Sequence, residues 1–425
     1  MEKDSKKRVV ITGIGPVTSV GIGKDEFWNS LLSKKMNVCK IPERFKKSYS
    51  FKSKFYVPFP EISLKDFAIP SKYNVIMEET SKLSVIGAEL ALKDAGLKMK
   101  KNEVSGYECL KDAVVILGMG VCSLKAGFNA FASHTFNDTP DLLEKFDISP
   151  KYNRMVIPLV MPDSAASWVT ILYNVNGVNF TLNASCASGT YAVGEAFRRI
   201  RDGYAGMAIT GGVECLKDNS GTIMRGFDTL GTLTKSENGI PMPFSNKRSG
   251  FLFSEGAGCI LILEELESAR QRGADIYAEI INYECSSDAY NIVQIEKSGA
   301  LIKKLLNKII GTNKIDYFNT HGTATLLNDE VEYNIIKEVF GNKSNQPVIN
   351  STKGILGHSI GASGAIEVAV TALSIKNSKV HANVSEDTFE NLNLADEVIN
   401  KNIDYAVTAS YGFGGHNAAI LLKKL

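Results

Sequence analysis

Cys186 is the residue of this sequence best placed to act as a nucleophile. It lies in the stretch NASCASGTYAVGEAF (183–197), in which small residues surround the cysteine at the start of a helix-forming segment. Unpaired N–H groups and the helix dipole at a helix start favour a thiolate over a thiol. The stretch therefore predicts a lowered pKa and a nucleophilic role for Cys186. The alternative is an inert buried cysteine, which is the usual fate of free cysteines.

Two of the five histidines lie in glycine-rich segments that follow apolar strands. They are His321, in NTHGTATLLND, and His358, in STKGILGHSIGASGAIE. A lone histidine is more often a structural residue with satisfied hydrogen bonds. Two histidines in such loops, together with a cysteine at a helix start, instead indicate a catalytic site.

The elements that must position these residues are those of a layered α/β protein. Apolar runs typical of buried strands are RVVITGIGPV, DAVVILGMGV, MAITGGVE, GCILILEEL and NAAILLKK. Helical patterns lie between them, as in EETSKLSVIGAELALKDAGL and TYAVGEAFRRIRDG. The stretch GIGPVTSVGIG (13–23) is not a dinucleotide-binding fingerprint, because Thr18 occupies the third glycine position. We expect a tight strand-to-helix turn there.

An internal repeat relates two distant parts of the chain. CASGTYAVGEA, which starts at Cys186, is matched by GASGAIEVAVTA, which starts at Gly361. Both place Ala-Ser-Gly at a predicted helix start after a strand, although three small residues can also recur by chance. The repeat predicts two similar halves, residues 1–268 with the cysteine and residues 269–425 with both histidines.

Composition excludes several classes of protein. The 425 residues are 44% hydrophobic and 22% charged, as in an ordinary globular protein, and a net charge of +2 argues against a nucleic-acid-binding surface. No apolar run approaches the ~20 residues of a membrane span, and the charged first residues are unlike a secretory signal. Seven cysteines without C-x-x-C spacing suggest neither disulfides nor zinc. We expect a cytoplasmic protein.

Five motifs, taken in order, give the chain a strong resemblance to a known family. They are RVVITGIGPVTSVGIGKDEFWNSLL, NASCASG with MPFSNKRSGFLFSEGAGCILILEELESARQRGA, HGTATLLND, STKGILGHSIGASGAIE and SYGFGGHNAAILLKK. The chain resembles the elongating β-ketoacyl-acyl-carrier-protein synthases, the decarboxylating condensing enzymes of fatty acid and polyketide synthesis. This resemblance implies a thiolase-like, five-layered αβαβα fold built from two similar halves. It also implies a homodimer, with a heterodimer with a related ketosynthase-like subunit as the alternative.

The resemblance assigns a role to each candidate catalytic residue. Cys186 resembles the nucleophile that takes the acyl chain, as a thioester, from the phosphopantetheine of an acyl-carrier protein. His321 and His358 resemble the pair that polarises the malonyl thioester carbonyl and stabilises the enolate, as neutral imidazoles donating from Nε2. The backbone N–H groups of Cys186 and Phe413 would form the oxyanion hole. No permanently bound cofactor is implied.

Further positions resemble residues that support the site or bind substrate. Lys353 resembles a lysine that supports the histidines electrostatically, and Glu367 resembles its ordering partner. Two hydroxyl residues match those that hold the phosphopantetheine arm, and two other residues stand where the family sets acyl-chain length. These four substrate positions are Thr323, Thr325, Val121 and Cys122.

The chain also departs from the family pattern. Asn291, Leu326 and His416 stand where histidine, proline and threonine are usual, and the loop after SSDAY is shorter. These departures leave the condensing chemistry in place and point to a specialised pathway, with acyl length and saturation left open. The alternatives are a non-catalytic chain-length partner subunit, a malonyl-carrier decarboxylase and a thiolase. The first two typically lack the cysteine, and a thiolase needs a second cysteine near the C-terminus.

Overall fold

The structure is a computed structural model. It describes residues 6–47, 49–67, 69–97, 110–121 and 124–425. Cys122, one of the two positions predicted to set acyl-chain length, lies outside the described residues.

Fifteen strands form within the described residues, and most belong to one large mixed sheet. The long strands read as continuous apolar runs because both faces of the sheet are covered by helices. The strands are β1 (Val9–Thr18), β2 (Gly21–Ile22), β3 (Cys39–Lys40), β4 (Phe55–Tyr56), β5 (Val114–Gly118), β6 (Asn179–Leu182), β7 (Met207–Cys215), β8 (Gly256–Glu265), β9 (Ala278–Ser287), β10 (Tyr317–Asn319), β11 (Val348–Asn350), β12 (Lys379–Val380), β13 (Ile399–Asn400), β14 (Tyr405–Gly412) and β15 (His416–Lys423).

Fourteen α-helices lie between these strands in the same part of the chain. They are α1 (Lys24–Leu32), α2 (Glu43–Lys46), α3 (Glu79–Asp94), α4 (Leu124–Thr135), α5 (Pro140–Lys145), α6 (Val156–Val160), α7 (Ser164–Tyr173), α8 (Ser188–Arg201), α9 (Thr222–Thr229), α10 (Leu266–Gln271), α11 (Ala300–Ile310), α12 (Leu326–Phe340), α13 (Lys353–Leu356) and α14 (Ser363–Asn377).

The sheet consists of two halves with the same topology. One half has the strand order β6-β5-β7-β8-β1 and the other β11-β10-β14-β15-β9. In each half the first three strands are mutually parallel, and the last two are antiparallel to their neighbours. The halves join where residues 9–11 of β1 pair with residues 278–280 of β9. Counted along the chain, the five strands of each half therefore occupy the same positions in the sheet.

Helices cover the two half-sheets in a way that gives five layers. Helices α8 and α14 pack against each other between the half-sheets, α3 and α7 lie outside the first half, and α11 and α12 lie outside the second. Three large apolar clusters fill the spaces between these layers. The predicted αβαβα fold class is confirmed.

Most of the predicted elements are observed, with one correction. The five apolar runs form β1, β5, β7, β8 and β15, and the two helical patterns form α3 and α8. The tight strand-to-helix turn predicted for residues 13–23 is wrong, because β1 continues to Thr18 and pairs with β2 as a hairpin. Gly13 and Gly15 lie within β1, against α3. A Cβ added at Gly15 would lie 2.7 Å from the backbone nitrogen of Ala91.

The repeated Ala-Ser-Gly has a physical explanation in the contact between α8 and α14. Each of these helices follows a single 3₁₀ turn, at Ser185–Ala187 and at Ile360–Ala362. A Cβ added at Gly189 would lie 2.5 Å from Ala365 N, and one added at Gly364 would lie 2.7 Å from Thr190 N. The two glycines therefore allow the two helix starts to meet backbone against backbone.

This contact predicts the effect of adding one methyl group. We expect Gly189→Ala to lower the free energy of unfolding by roughly 1–3 kcal/mol, because the methyl group would force α8 and α14 apart. The measurement is urea denaturation followed by circular dichroism. Gly226→Ala is the matched control, since a Cβ in that part of α9 meets no described atom within 4 Å. Equal stability of the two variants would contradict the prediction.

Candidate active site

Cys186 is held in the 3₁₀ turn that precedes α8. Ser185 adopts a left-handed φ of 51°. Its backbone N–H donates to Asn183 Oδ1 at 2.9 Å, and the N–H of Ala184 donates to Ser188 Oγ at 2.9 Å. The sulfur is buried, and the backbone N–H groups of Phe413 and of Cys186 itself lie near enough to favour its charged form. The turn fixes the sulfur, and the end of β14 brings the N–H of Phe413 beside it.

The predicted lowering of the Cys186 pKa is wrong. Burial raises the pKa of the Cys186 thiol to about 12, even though the charge of Lys353 and the two N–H donors act in the opposite direction. The sulfur belongs to an apolar cluster with Phe251, Phe253 and Ile360, which removes it from water. Loss of hydration therefore outweighs the helix start. The Cys186 side chain is therefore a neutral thiol at neutral pH.

Both histidines sit in segments whose backbone is firmly held. The N–H groups of His321 and Gly322 each donate at 2.8 Å to one oxygen of the buried Glu332 carboxylate. The N–H of His358 donates at 2.8 Å to the carbonyl of Leu252. The two imidazole rings lie 5.7 Å apart, centroid to centroid, and nearly perpendicular. Their relative position is set by backbone contacts from several distant segments.

Lys353 determines which nitrogen of His321 carries the proton. The Lys353 ammonium donates to the carbonyl of His321 at 2.8 Å, to Nδ1 of the same residue at 3.3 Å, and to the carboxylate of Glu367. An ammonium group can only donate, so Nδ1 must accept and Nε2 carries the proton. Nδ1 of His358 lies 3.0 Å from the hydroxyl of Ser363, which can serve it as a donor in the same way.

The electrostatics keep both imidazoles neutral. Burial lowers the pKa of His321 and of His358 well below the usual value, and the positive charge of Lys353 lowers both further. Each ring therefore offers an N–H donor without carrying a charge at neutral pH. This agrees with the neutral imidazoles expected from the sequence.

A cavity of about 330 Å³ brings most of the candidate residues together. The hydroxyls of Thr323 and Thr325 lie 2.9 Å apart in its wall. Lys353 and Glu367 are buried and do not line it, and they lie behind His321. The candidate residues that do line the cavity are Cys186, His321, His358, Thr323, Thr325 and Phe413.

Val121 packs against the apolar cluster that contains Cys186 and does not line the cavity. Its role beside an acyl pocket stays a prediction.

Sequence reasoning missed Glu214, at the end of β7. Its buried carboxylate accepts from the N–H groups of Gly120 at 2.8 Å, Val121 at 3.1 Å and Gly361 at 3.0 Å. Burial raises the pKa of Glu214 to about 8, against the effect of these donors. The carboxylate joins the segment of Gly120 and Val121 to the turn that follows His358. The one signal in the sequence was a glutamate in the apolar run MAITGGVE.

Two other kinds of site are not found in the part of the chain that the structure describes. No helix there is long and apolar enough to cross a membrane. No group of three or more His, Cys, Asp or Glu side chains there could hold a metal ion.

The chain belongs to the β-ketoacyl synthase family. The N-terminal domain of that family matches residues 6–269 and the C-terminal domain matches residues 277–386. A 3-oxoacyl-[acyl-carrier-protein] synthase 2 from Staphylococcus aureus (strain COL) is 32% identical over 430 residues, which cover 98% of each chain. The family, the enzyme class and the β-ketoacyl condensation predicted from the sequence are confirmed.

Two solved structures show the same fold over the whole chain. A β-ketoacyl synthase from Burkholderia phymatum STM815 is 28% identical with a TM-score of 0.83, covering 99% of this chain and all (100%) of that one. A type II PKS ketosynthase, bound to a hexaketide and in complex with its acyl-carrier protein, is 27% identical with a TM-score of 0.81 at the same coverage.

The raised pKa of Cys186 predicts how its alkylation depends on pH. Because the pKa is about 12, the thiolate fraction of the resting enzyme should keep rising through the alkaline range. We expect the rate of Cys186 alkylation by iodoacetamide, measured by peptide mapping, to rise about tenfold per pH unit between about pH 7 and about pH 10. A plateau near neutral pH would contradict the raised pKa.

The burial of the Lys353–Glu367 ion pair predicts that removing one charge lowers the free energy of unfolding much more than removing both charges. We expect Lys353→Met to cost roughly 3–5 kcal/mol in urea denaturation, because it leaves the Glu367 carboxylate buried without its partner. The double variant Lys353→Met, Glu367→Gln should recover most of that stability but no activity, since His321 Nδ1 still lacks its donor.

The matched control is an exposed ion pair of similar composition. Lys247 and Glu386 lie 3.0 Å apart, with more than half of each side chain exposed (54% and 67%). Lys247→Met should change stability by less than about 1 kcal/mol. Equal stability of the Lys353→Met and Lys247→Met variants would contradict the predicted cost of leaving Glu367 buried without its partner.

Proposed function

We propose that this enzyme condenses an acyl group held on Cys186 with a malonyl unit carried by an acyl-carrier protein, and releases carbon dioxide. The observation that carries the proposal is the convergence of one thiol and two neutral, Nε2-protonated imidazoles on a single cavity. A thiol accepts an acyl group, and two neutral donors stabilise an enolate.

In the first step Cys186 attacks the thioester carbonyl of the acyl-carrier protein. The bond from carbon to the Cys186 sulfur forms, and the carbonyl oxygen becomes an oxyanion. The N–H groups of Cys186 and Phe413, which lie near the sulfur, are suited to bind this oxygen. The phosphopantetheine sulfur then leaves and takes up the proton that the thiol has lost.

In the second step the malonyl thioester loses its carboxylate. Nε2–H groups of His321 and His358 donate to the thioester oxygen, and the pair of electrons from the broken C–C bond moves onto the enolate. The charge of Lys353, next to His321, stabilises that enolate without a proton transfer. The enolate carbon attacks the acyl group on Cys186, the new C–C bond forms, and the cysteine sulfur leaves as a thiolate. This thiolate takes up one proton from solvent, which restores the resting thiol. The product is a β-ketoacyl thioester on the carrier.

Residues of the cavity wall and of the surface indicate two partners, an acyl-carrier protein and a second subunit. Thr323 and Thr325 are suited to hold a phosphopantetheine arm, and a related ketosynthase has been solved in complex with its acyl-carrier protein. We propose a homodimer, with a ketosynthase-like second subunit as the alternative. The exposed apolar side chain of Ile171 (63% exposed), on helix α7 beside the edge strand β6, supports such an interface.

Two further features concern the cellular location and the pathway of the enzyme. A catalytic free thiol is suited to a reducing cytoplasm. The departures at Asn291, Leu326 and His416 favour a specialised pathway over general fatty acid synthesis.

The proposal predicts that decarboxylation and acyl capture can be separated. We expect Cys186→Gln, whose side chain mimics the acylated cysteine, to release carbon dioxide from malonyl-pantetheine while losing condensation. Adding His358→Ala should abolish the release, because one of the two donors to the enolate oxygen is lost. Carbon dioxide is measured by coupled assay, and circular dichroism checks that both variants fold. Undiminished release by the double variant would rule out the role of His358.

A further inference from the structure

Glu214, in β7, is a fully buried side chain to which the reaction assigns no role, since it does not line the catalytic cavity. Its oxygen Oε2 accepts from the backbone N–H of Gly120 at 2.8 Å and from that of Gly361 at 3.0 Å. Gly120 follows β5 in the first half of the chain, whereas Gly361 precedes α14 in the second half. A single oxygen atom therefore links the two halves.

On the side of the first half, this link leads to the turn that holds the nucleophile. The carbonyl of Gly120 accepts from Nδ2 of Asn183 at 2.7 Å. Oδ1 of the same side chain accepts from the N–H of Ser185, the residue before Cys186, at 2.9 Å. Two further hydrogen bonds thus connect the segment bound by Glu214 to the backbone of the cysteine turn.

On the side of the second half, the link leads to one of the two histidines. Gly361 lies in the 3₁₀ turn Ile360–Ala362, which connects His358 to α14. The hydroxyl of Ser363, the first residue of α14, lies 3.0 Å from Nδ1 of His358. A shift of Gly361 would therefore move the imidazole of His358 together with the turn.

The link is also tightly packed. A Cβ added at Gly120 would lie 2.7 Å from Oε2 of Glu214, and one added at Gly361 would lie 2.9 Å from the same oxygen. The other oxygen, Oε1, accepts from the N–H of Val121 at 3.1 Å. Loss of this acceptor would leave buried N–H groups unpaired in both halves, so the two segments would have to move.

We propose that Glu214 is a positioning residue for the carbon–carbon bond-forming step, and that it holds the acyl group on Cys186 within reach of the enolate at the histidines. This inference rests on the proposed function. Acyl capture needs the thiol and the N–H groups beside it, and decarboxylation needs the two imidazoles. Condensation alone needs the carbon atoms held by Cys186 and by the histidines to meet at bonding distance, and such steps are sensitive to small displacements.

The test compares three reactions of Glu214→Met, which offers no oxygen to either half. We expect kcat for condensation of an acyl-pantetheine with malonyl-pantetheine to fall about 100-fold, as for a misplacement of about 1 Å, with KM unchanged. Acylation of Cys186, followed by intact mass, and release of carbon dioxide in the Cys186→Gln background should each change less than about threefold.

Glu214→Gln is the conservative variant, because its amide oxygen can accept from Gly120 and Gly361 as Oε2 does. We expect it to recover condensation to within about tenfold of the unmodified enzyme. Glu214→Asp keeps the carboxylate but is one methylene shorter, so it should condense as slowly as Glu214→Met. It takes the place of Glu214→Met if circular dichroism shows that the methionine variant does not fold.

The matched control is Glu255→Met, which removes another buried carboxylate whose partner, the N–H of Phe59 at 3.0 Å, lies in the same half. It should lower the melting temperature without slowing condensation relative to the other two reactions. Undiminished condensation by Glu214→Met, equal losses in its three reactions, or no recovery in Glu214→Gln would overturn the proposal. Failure of the proposed function is distinguishable, because the unmodified enzyme would then form no β-ketoacyl product.

Discussion

The ammonium group of Lys353 is the charge on which the chemistry of this site depends. It donates to Nδ1 of His321 and so fixes the tautomer, while its positive charge lowers the pKa of both histidines and acts against the burial of Cys186. A buried ammonium without a counter-ion would be very costly, and Glu367 supplies that counter-ion from α14. One ion pair, wholly outside the cavity, therefore fixes the tautomer of His321 and adds to the effect of burial, which is the larger cause of the lowered histidine pKa values.

Cys186 and the two histidines come from different halves of the sheet, so their alignment depends on how the halves meet. Cys186 precedes α8 of the first half, and His358 precedes α14 of the second. Glu214 adds a bond between the halves, because it lies in β7 and binds the N–H of Gly361. Backbone atoms and two buried carboxylates, those of Glu214 and Glu332, therefore position the three side chains.

The sequence predicts the long elements, because apolar runs and helical periods are short-range signals. Its local motifs select candidate site residues, and the fold brings most of them to one cavity. The runs that form β1, β8 and α3 are of this kind. The pKa of Cys186 could not be predicted, since the residues that bury it, such as Phe251 and Ile360, are distant in sequence. The same applies to Glu214, whose three donors become its neighbours only in the fold.

The contact of α8 with α14 at Gly189 and Gly364 divides the molecule into parts with different tolerance to substitution. Because the two helices meet through their backbones, one methyl group added at either glycine would displace the thiol relative to the imidazoles. The apolar side chains around Cys186, such as Val121 and Phe251, are under no such restriction, since they fill space. Substrate preference can accordingly diverge in this architecture while the reaction itself stays the same.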